Sequence, residues 1–308
     1  PNYEIETTPL GVDFFYVFCE SSFTMNKTTH ITPLISRDNF DLVTSYCIID
    51  DFFKFFDKQN KFKVGRKSKL SISESVTIVI IQQIYEIKCL KRLYDLLRDR
   101  FIDDFNLPCY KNFVLDLNRN SRYLMLFIHS VITMRNIGKG ELCFVDSTKI
   151  EVCKIYREYR HKTMKAIASK HKSTIGWFYG IRLHLVCDNY GNLLKIRFTT
   201  ATYSERKVLD DFLENMSSWN IAADAGYLDK ELDKKASRNN NVLITAKRKN
   251  MKTLHTIWEN SCLNMRSRVE TVFDVLKERY SLVTSLPRSI NGYLAHYIRC
   301  LFCYMVLS

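Results

Sequence analysis

The chain has 308 residues, with 46 Lys and Arg against 33 Asp and Glu, and a formal net charge of +13. Apolar residues make up 46%, and Pro and Gly number only 5 and 9, which excludes a disordered, collagenous or linker-dominated protein. No charge-free run reaches the roughly 18 apolar residues a membrane span needs, so the surplus of cations points to a polyanion, nucleic acid before an anionic membrane surface.

The first segment, 1–40, reads as an extension of unknown role. Phe14, Phe15, Tyr16 and Phe18 form a short strand or an artefactual addition. It has no basic-then-apolar leader pattern, and Pro1 in place of Met points to a missing or processed start. From Leu42 to Phe56 the apolar period is helical, with Asp50 and Asp51 facing out. Gln59–Lys69 is a basic, polar loop. Ser71 and Glu74 make a capping-box pattern ahead of Val76, Ile78, Val79, Ile80 and Ile81. A further helix is expected from Lys91 to Phe101, with Leu93, Leu96, Leu97 and Phe101 on one face. A turn at Asn106–Pro108 leads to another from Tyr110, through Phe113, Leu115 and Leu117. Short helices with a tight turn before the last predict a helix-turn-helix-like unit, with Lys111, Asn112 and Arg119 on its outer side. The alternative is an ordinary helical bundle. The Gly-bearing, basic stretch Arg135–Gly140 marks a domain boundary.

Beyond it the pattern changes. Leu142–Val152, Trp177–Asp188 and Leu193–Thr200 read as strands, the last two joined by turn chemistry at Asn189–Asn192. A helix Glu205–Met216 follows, capped by Ser204. Then come a strand Asn220–Ala223, a helix Leu228–Ser237, a strand Val242–Thr245, and closing helices Met265–Tyr280 and Asn291–Leu307. A three-stranded meander followed by alternating α and β predicts an α/β, RNase H-like domain, a mixed five-stranded sheet flanked by helices. The expected organisation is 1–40 extension, 41–137 all-helical DNA-binding region and 138–308 RNase H-like catalytic domain. The sequence has 10 cysteines. Cys47, Cys89, Cys143, Cys187 and Cys300 sit in apolar runs, where a thiol behaves as a small core group. Cys300 and Cys303 have no second pair to complete a zinc site. A reduced, cytoplasmic protein is expected.

Acids stand at particular places in this layout. Asp146 interrupts the apolar strand Cys143-Phe144-Val145, where an unpaired buried charge is costly. Asp224 follows the strand Ile221-Ala222-Ala223, at the carboxyl end where α/β sheets gather chemistry. Glu270 lies on the long helix after the last strand. In an RNase H-like layout these acids converge and offer hard oxygen ligands for two Mg²⁺ ions. At about 100° per residue, Arg266, Glu270 and Lys277 fall within about 40° of one another, beside an apolar stripe of Val269, Val272, Phe273 and Leu276. The plainer reading is a surface ion pair between Arg266 and Glu270.

Cations concentrate in two runs. Lys154, Arg157, Arg160, Lys162, Lys165, Lys170 and Lys172 join the first strands and are expected to rim the acids. Lys247, Arg248, Lys249 and Lys252 precede the last helices. Both suit phosphate binding. Trp177, beside Phe178 and Tyr179, packs in the core or stacks on an unpaired base at the cationic rim. His184, between Leu183 and Leu185, either faces the acids or fills the core.

Taken in order, Asp146-Ser147-Thr148, Gly176-Trp177-Phe178-Tyr179-Gly180 with Leu183-His184-Leu185, Asp224-Ala225-Gly226-Tyr227, and Glu270-Thr271-Val272-Phe273-Asp274-Val275-Leu276-Lys277 resemble the DDE transposases of bacterial insertion sequences, the insertion sequence 982 group above all. The resemblance runs from about Val43 to the C-terminus. It implies that Asp146, Asp224 and Glu270 are the catalytic and metal-binding acids, with Mg²⁺ as cofactor and Mn²⁺ as substitute. The related insertion sequence 4 group carries a Tyr-Arg-Glu-Lys signature, matched here by Arg266, Glu270 and Lys277, with Leu263 at the Tyr position. The implied activity is cleavage at terminal inverted repeats of double-stranded DNA and transfer of the 3′ ends to target DNA, by a homodimer in the bacterial cytoplasm at the nucleoid. DNA contacts are then expected from Arg160, Lys162, Lys165, Trp177, Lys247, Lys249, Lys252, Arg266 and Lys277. The alternatives are an inactive, transposon-derived DNA-binding protein and an RNase H-like nuclease without strand transfer.

Overall fold

A computed structural model describes residues 40–57, 68–135, 141–173, 176–247, 251 and 254–308, with the side chains of 55–57, 134 and 135 excepted. The aromatic run at 14–18, residues 59–67 of the basic loop and residues 136–140 of the boundary lie outside them. Residues 33–308 form one compact unit.

Among the described residues four helices come first: α1 (Leu42–Asp57), α2 (Ile72–Ile84), α3 (Leu90–Arg100) and α4 (Tyr110–Arg135). The capping box at α2 is complete. The Ser71 amide donates to Glu74 Oε2 at 2.6 Å and the Glu74 amide to Ser71 Oγ at 3.1 Å. Val76 and Ile78 to Ile81 are all buried, and so are the polar Ser73, Ser75, Thr77, Gln82 and Gln83, so α2 is covered on nearly every side and forms the centre of the helical layer. Asp50 does not simply face solvent: Ser73 Oγ donates to it at 2.7 Å, tying α1 to the start of α2. Cys47 is exposed, because Ile49 and Phe53 take the inner face of α1.

A long final helix, α9 (Ile290–Leu307), packs against both α2 and α4. It also reaches the sheet, where Tyr297 stacks on Phe198 with ring centroids 5.5 Å apart. The C-terminal helix therefore joins the helical layer to the sheet. The 26-residue α4 spends its Phe113, Leu117, Leu124 and Ile128 face inward, leaving Lys111, Asn112 and Arg119 exposed.

The sheet contains β1 (Leu142–Cys153), β2 (Ser169–Ser173), β3 (Gly176–Asp188), β4 (Leu193–Thr200), β5 (Asn220–Ala223) and β6 (Val242–Thr245). Its order is β2-β3-β1-β5-β6, with β4 also on β3. β1 and β3 are antiparallel, and β5 runs parallel to both β1 and β6. Six strands replace the five expected. The additional one, Ser-Lys-His-Lys-Ser, has no apolar alternation; backbone pairing with Gly176–Gly180 holds it beside the first half of β3, while β4 takes the second half. Gly180 sits at the β1 bulge, where an added Cβ would lie 2.0 Å from the Ile150 carbonyl oxygen.

Side chains alternate between the faces of the sheet. Cys143, Val145, Val186, Ile221 and Ala223 pack beneath α5 (Glu205–Leu213) and α6 (Lys230–Arg238), with Leu209, Phe212, Trp219 and Leu232. α5 is shorter than expected, and Ser204 makes no side-chain capping bond. The opposite face of β1 and β3 meets α8 (Ser267–Asp274), whose Val269, Val272 and Phe273 are buried. The helix expected over Met265–Tyr280 is continuous from Ser267 to Arg279, its last part, Val275–Arg279, wound as a π turn; an additional helix, α7 (Ile257–Asn264), with its own Thr256–Glu259 capping box, precedes it.

Candidate active site

Asp146 points from β1 toward the start of α8, with 23% of its side chain exposed. Its Oδ1 accepts from the Ser147 amide at 2.8 Å, and its Oδ2 lies 3.3 Å from Arg266 Nη1. Burial pushes its pKa up to about 6. The Ser147 amide and Arg266 oppose that rise, and the charges of Glu205 and Asp224 add to it.

Asp224 is placed by the parallel ladder. Val145 pairs with Ala223, so the next residue on each strand is an acid, Asp146 beside Asp224. Asp224 is exposed and caps the short 3₁₀ turn Ala225–Tyr227, accepting from the Ala225 amide at 2.8 Å. Glu270 lies in the first turn of α8, exposed, with Oε1 3.6 Å from Arg266 Nη2. The surface ion pair between Arg266 and Glu270 is thus present, but the guanidinium also spans to Asp146. One cation holds two acids that lie 124 positions apart in sequence.

Two acids beside each other, one with its pKa raised by burial, and a third brought in by an arginine form a site that calls for positive charge. Hard carboxylate oxygens of this kind fit a divalent cation such as Mg²⁺. Among the described residues, only Asp210 and Asp211 on α5 and Glu214 just past its end bring three candidate ligand atoms within 4.8 Å of one another. Those acids are already met by Arg197 and Lys235.

Further groups surround Asp146 that the sequence reading missed. Glu205 Oε1 accepts from Ser147 Oγ at 2.6 Å and from Arg182 Nη1. The Tyr227 hydroxyl is held protonated, chiefly by burial and then by the charges of Glu205 and Asp146. The only local signal for Glu205 was an acid at a helix start, which the helix dipole already explains.

His184 does not face the acids. It lies opposite Ser147 in the β1–β3 register and so belongs to the other face from Asp146. It is fully buried, bonded through Nε2 to Thr199 Oγ1 at 2.8 Å, and its pKa falls to about 4, mainly through burial. Lys277 sits partly buried in the π turn, so the helical azimuth assumed for it lags behind that of a regular α-helix. Burial lowers its pKa, Lys149 adds to that, and Asp274, Glu151 and Asp146 pull it back up.

The first basic run does not rim the acids. Asp146 pairs with Leu185, whereas Trp177 pairs with Lys172, eight residues back along β3. At about 3.3 Å per residue that is about 26 Å. Arg160, Lys162 and Lys165 are exposed there. Trp177 is 57% exposed and is not a core residue; Lys170 Nζ lies 5.7 Å from its ring centroid. Lys247 is partly buried and donates to the Leu254 carbonyl at 2.7 Å. Arg248, Lys249 and Lys252 lie outside the described residues.

No curated protein and no solved structure matches the chain. Residues 138–290, however, match the family described as Transposase DDE domain. That span contains all six strands, α5 to α8 and the three acids. The mixed sheet with its flanking helices is consistent with an RNase H-like DDE domain, and by both fold and family match this part of the chain is similar to the DDE domains of transposases.

Proposed function

We propose that the protein is a Mg²⁺-dependent transposase of a bacterial insertion sequence of the 982 group, cleaving DNA at terminal inverted repeats and joining the 3′ ends to target DNA. The observation that carries this reading is that, within the matched region, the parallel pairing of β1 with β5 sets Asp146 beside Asp224, while Glu270 shares Arg266 with Asp146. Their carboxylates would hold the divalent cations, with Mn²⁺ able to replace Mg²⁺. When bound, these ions supply Lewis-acid polarisation of the scissile phosphodiester. Arg266 would exchange its acid partners for a phosphate oxygen as the acids take up metal. Lys277 would neutralise a neighbouring phosphate and keep the strand in line.

End recognition is assigned to the region 41–137, through Lys111, Asn112 and Arg119 on α4, and chemistry to 138–308. Lys162, Lys165 and Arg160, with Lys247, Lys249 and Lys252, would add phosphate contacts. A homodimer in the cytoplasm, on nucleoid DNA, would pair two element ends. Among the described residues no helix is long and apolar enough to cross a membrane.

The test is incubation of a labelled terminal repeat with protein, Mg²⁺ and target plasmid. Joined products are expected. Nicked repeats without joined products would make the protein a nuclease, and binding without nicking would make it an inactive relic.

A further inference from the structure

The segment between β1 and β2 has a period. Ile155–Arg160 is a 3₁₀ turn, in which residues three apart eclipse, about 6 Å apart along the axis. That period sorts the turn into stripes. Ile155 and Glu158 form the inner stripe, partly buried, with Lys170 Nζ 2.9 Å from the Glu158 carboxylate. Tyr156 and Tyr159 form the second, 72% and 91% exposed. Arg157 and Arg160 form the third, both exposed and preceded by the exposed Lys154.

The rings are presented on a fixed support. The Arg157 amide donates to the Lys154 carbonyl at 2.8 Å, and the His161 amide to the Arg157 carbonyl at 3.0 Å. Met164 is fully buried, and the His161 ring meets Tyr179 and Tyr293 edge-on at 6.2 and 6.3 Å. From Glu158 the strip continues through Lys170 to the exposed Trp177. Three large rings are thus exposed beside a row of cations, with the Arg157 guanidinium 5.6 Å from the Tyr156 ring centroid and Lys170 Nζ 5.7 Å from that of Trp177.

We propose that Tyr156, Tyr159 and Trp177, with Arg157, Arg160 and Lys170, form a platform for an unpaired DNA strand. Duplex DNA satisfies the cations but buries its base faces in its own stack. An unpaired strand offers phosphates to one stripe and π faces to the other. The eclipsed tyrosines stand about 6 Å apart, close to the room one planar base needs between two rings. The platform lies about 26 Å from the acids, so it holds a strand away from the bond being cut. That DNA is the polymer rests on the transposase reading; the stacking does not.

The experiment uses the full-length protein in EDTA, so that binding is read without cleavage. Fluorescence anisotropy compares a labelled thymidine homopolymer with a duplex of equal length. Tyr156→Ala with Tyr159→Ala is expected to weaken single-strand binding at least about tenfold, leaving duplex binding and the thermal melt unchanged. Tyr156→Phe with Tyr159→Phe should restore it. Arg157→Ala with Arg160→Ala should weaken both forms and flatten the single-strand salt slope by about 1.4. Unchanged single-strand affinity in the double alanine variant, or an equal loss on duplex, would overturn the platform. A protein that keeps the tyrosine-dependent single-strand preference but never cleaves a terminal repeat would sink the transposase reading and leave the platform standing.

Discussion

The acid site and the basic strip carry charge in opposite ways. At Asp146 the charges are few, partly buried and cross-linked: one arginine spans two acids, and burial lifts a carboxylate to a pKa of about 6. On the 155–177 strip the cations are many and exposed, and Glu158 with Lys170 makes the ion pair there. Burial changes what a charged group can do chemically, whereas exposure leaves it available to a partner. The two regions therefore predict different failures on mutation.

The largest effect belongs to the acids. Asp146→Asn, Asp224→Asn and Glu270→Gln are each expected to slow single-turnover cleavage of a terminal repeat at least about a thousandfold, or about 4 kcal/mol of barrier. Binding of that repeat should stay within about threefold, a difference under about 1 kcal/mol. A variant that cleaves normally would remove its acid from the site and break the comparison.

Charge reversal on the strip should do the reverse. Lys162→Glu with Lys165→Glu is expected to weaken all duplexes alike by tens of fold and to flatten the log–log salt slope by about 1.8, the equivalent of two phosphate contacts. An unchanged slope would mark these lysines as ordinary surface charge.

Lys277 lies between the two regimes, partly buried and within the field of both Lys149 and Asp146. Lys277→Ala is expected to slow cleavage about tenfold and to change stability by less than about 0.5 kcal/mol. Wild-type cleavage would return it to the surface class.

The smallest effect is on stability. The folded-state pKa of Asp146, about 6, lies above the ordinary 3.8, so folding favours the protonated acid. This group then supports the fold below about pH 4, and the support is lost as pH rises through 6. Without metal, Asp146→Asn should therefore match wild type in acid and be more stable above pH 7. The gain should be about 1 kcal/mol, discounted for partial exposure and for the Arg266 contact. An equal melting difference at pH 4 and pH 8 would show that the carboxylate charge is not the cause.

The legible parts of the molecule were those with a local cause. Asp146 was visible because a charge in an apolar strand demands an explanation, Asp224 because it ends one, and α8 because Val269, Val272 and Phe273 mark a face. The rest depends on pairings between distant segments. β2 exists through the β3 backbone, not through its own polar side chains. The attachment of α9 to α2 and α4 joins segments well over 100 positions apart in sequence. The separation of the strip from the acids follows from the length of the β1–β3 pairing, which no motif records. The π turn under Lys277 likewise shifts an azimuth that residue counting takes for granted.

Divalent-ion binding to the metal-free protein tests the central claim most directly, because two acidic groups compete for the role. Mn²⁺ titration followed by calorimetry should show binding that Asp146→Asn, Asp224→Asn or Glu270→Gln each weakens at least about tenfold, a loss of about 1.4 kcal/mol. Replacing Asp210, Asp211 and Glu214 together by their amides should leave it unchanged. Mn²⁺ binding that survives all three single changes and disappears with the triple change would contradict the account.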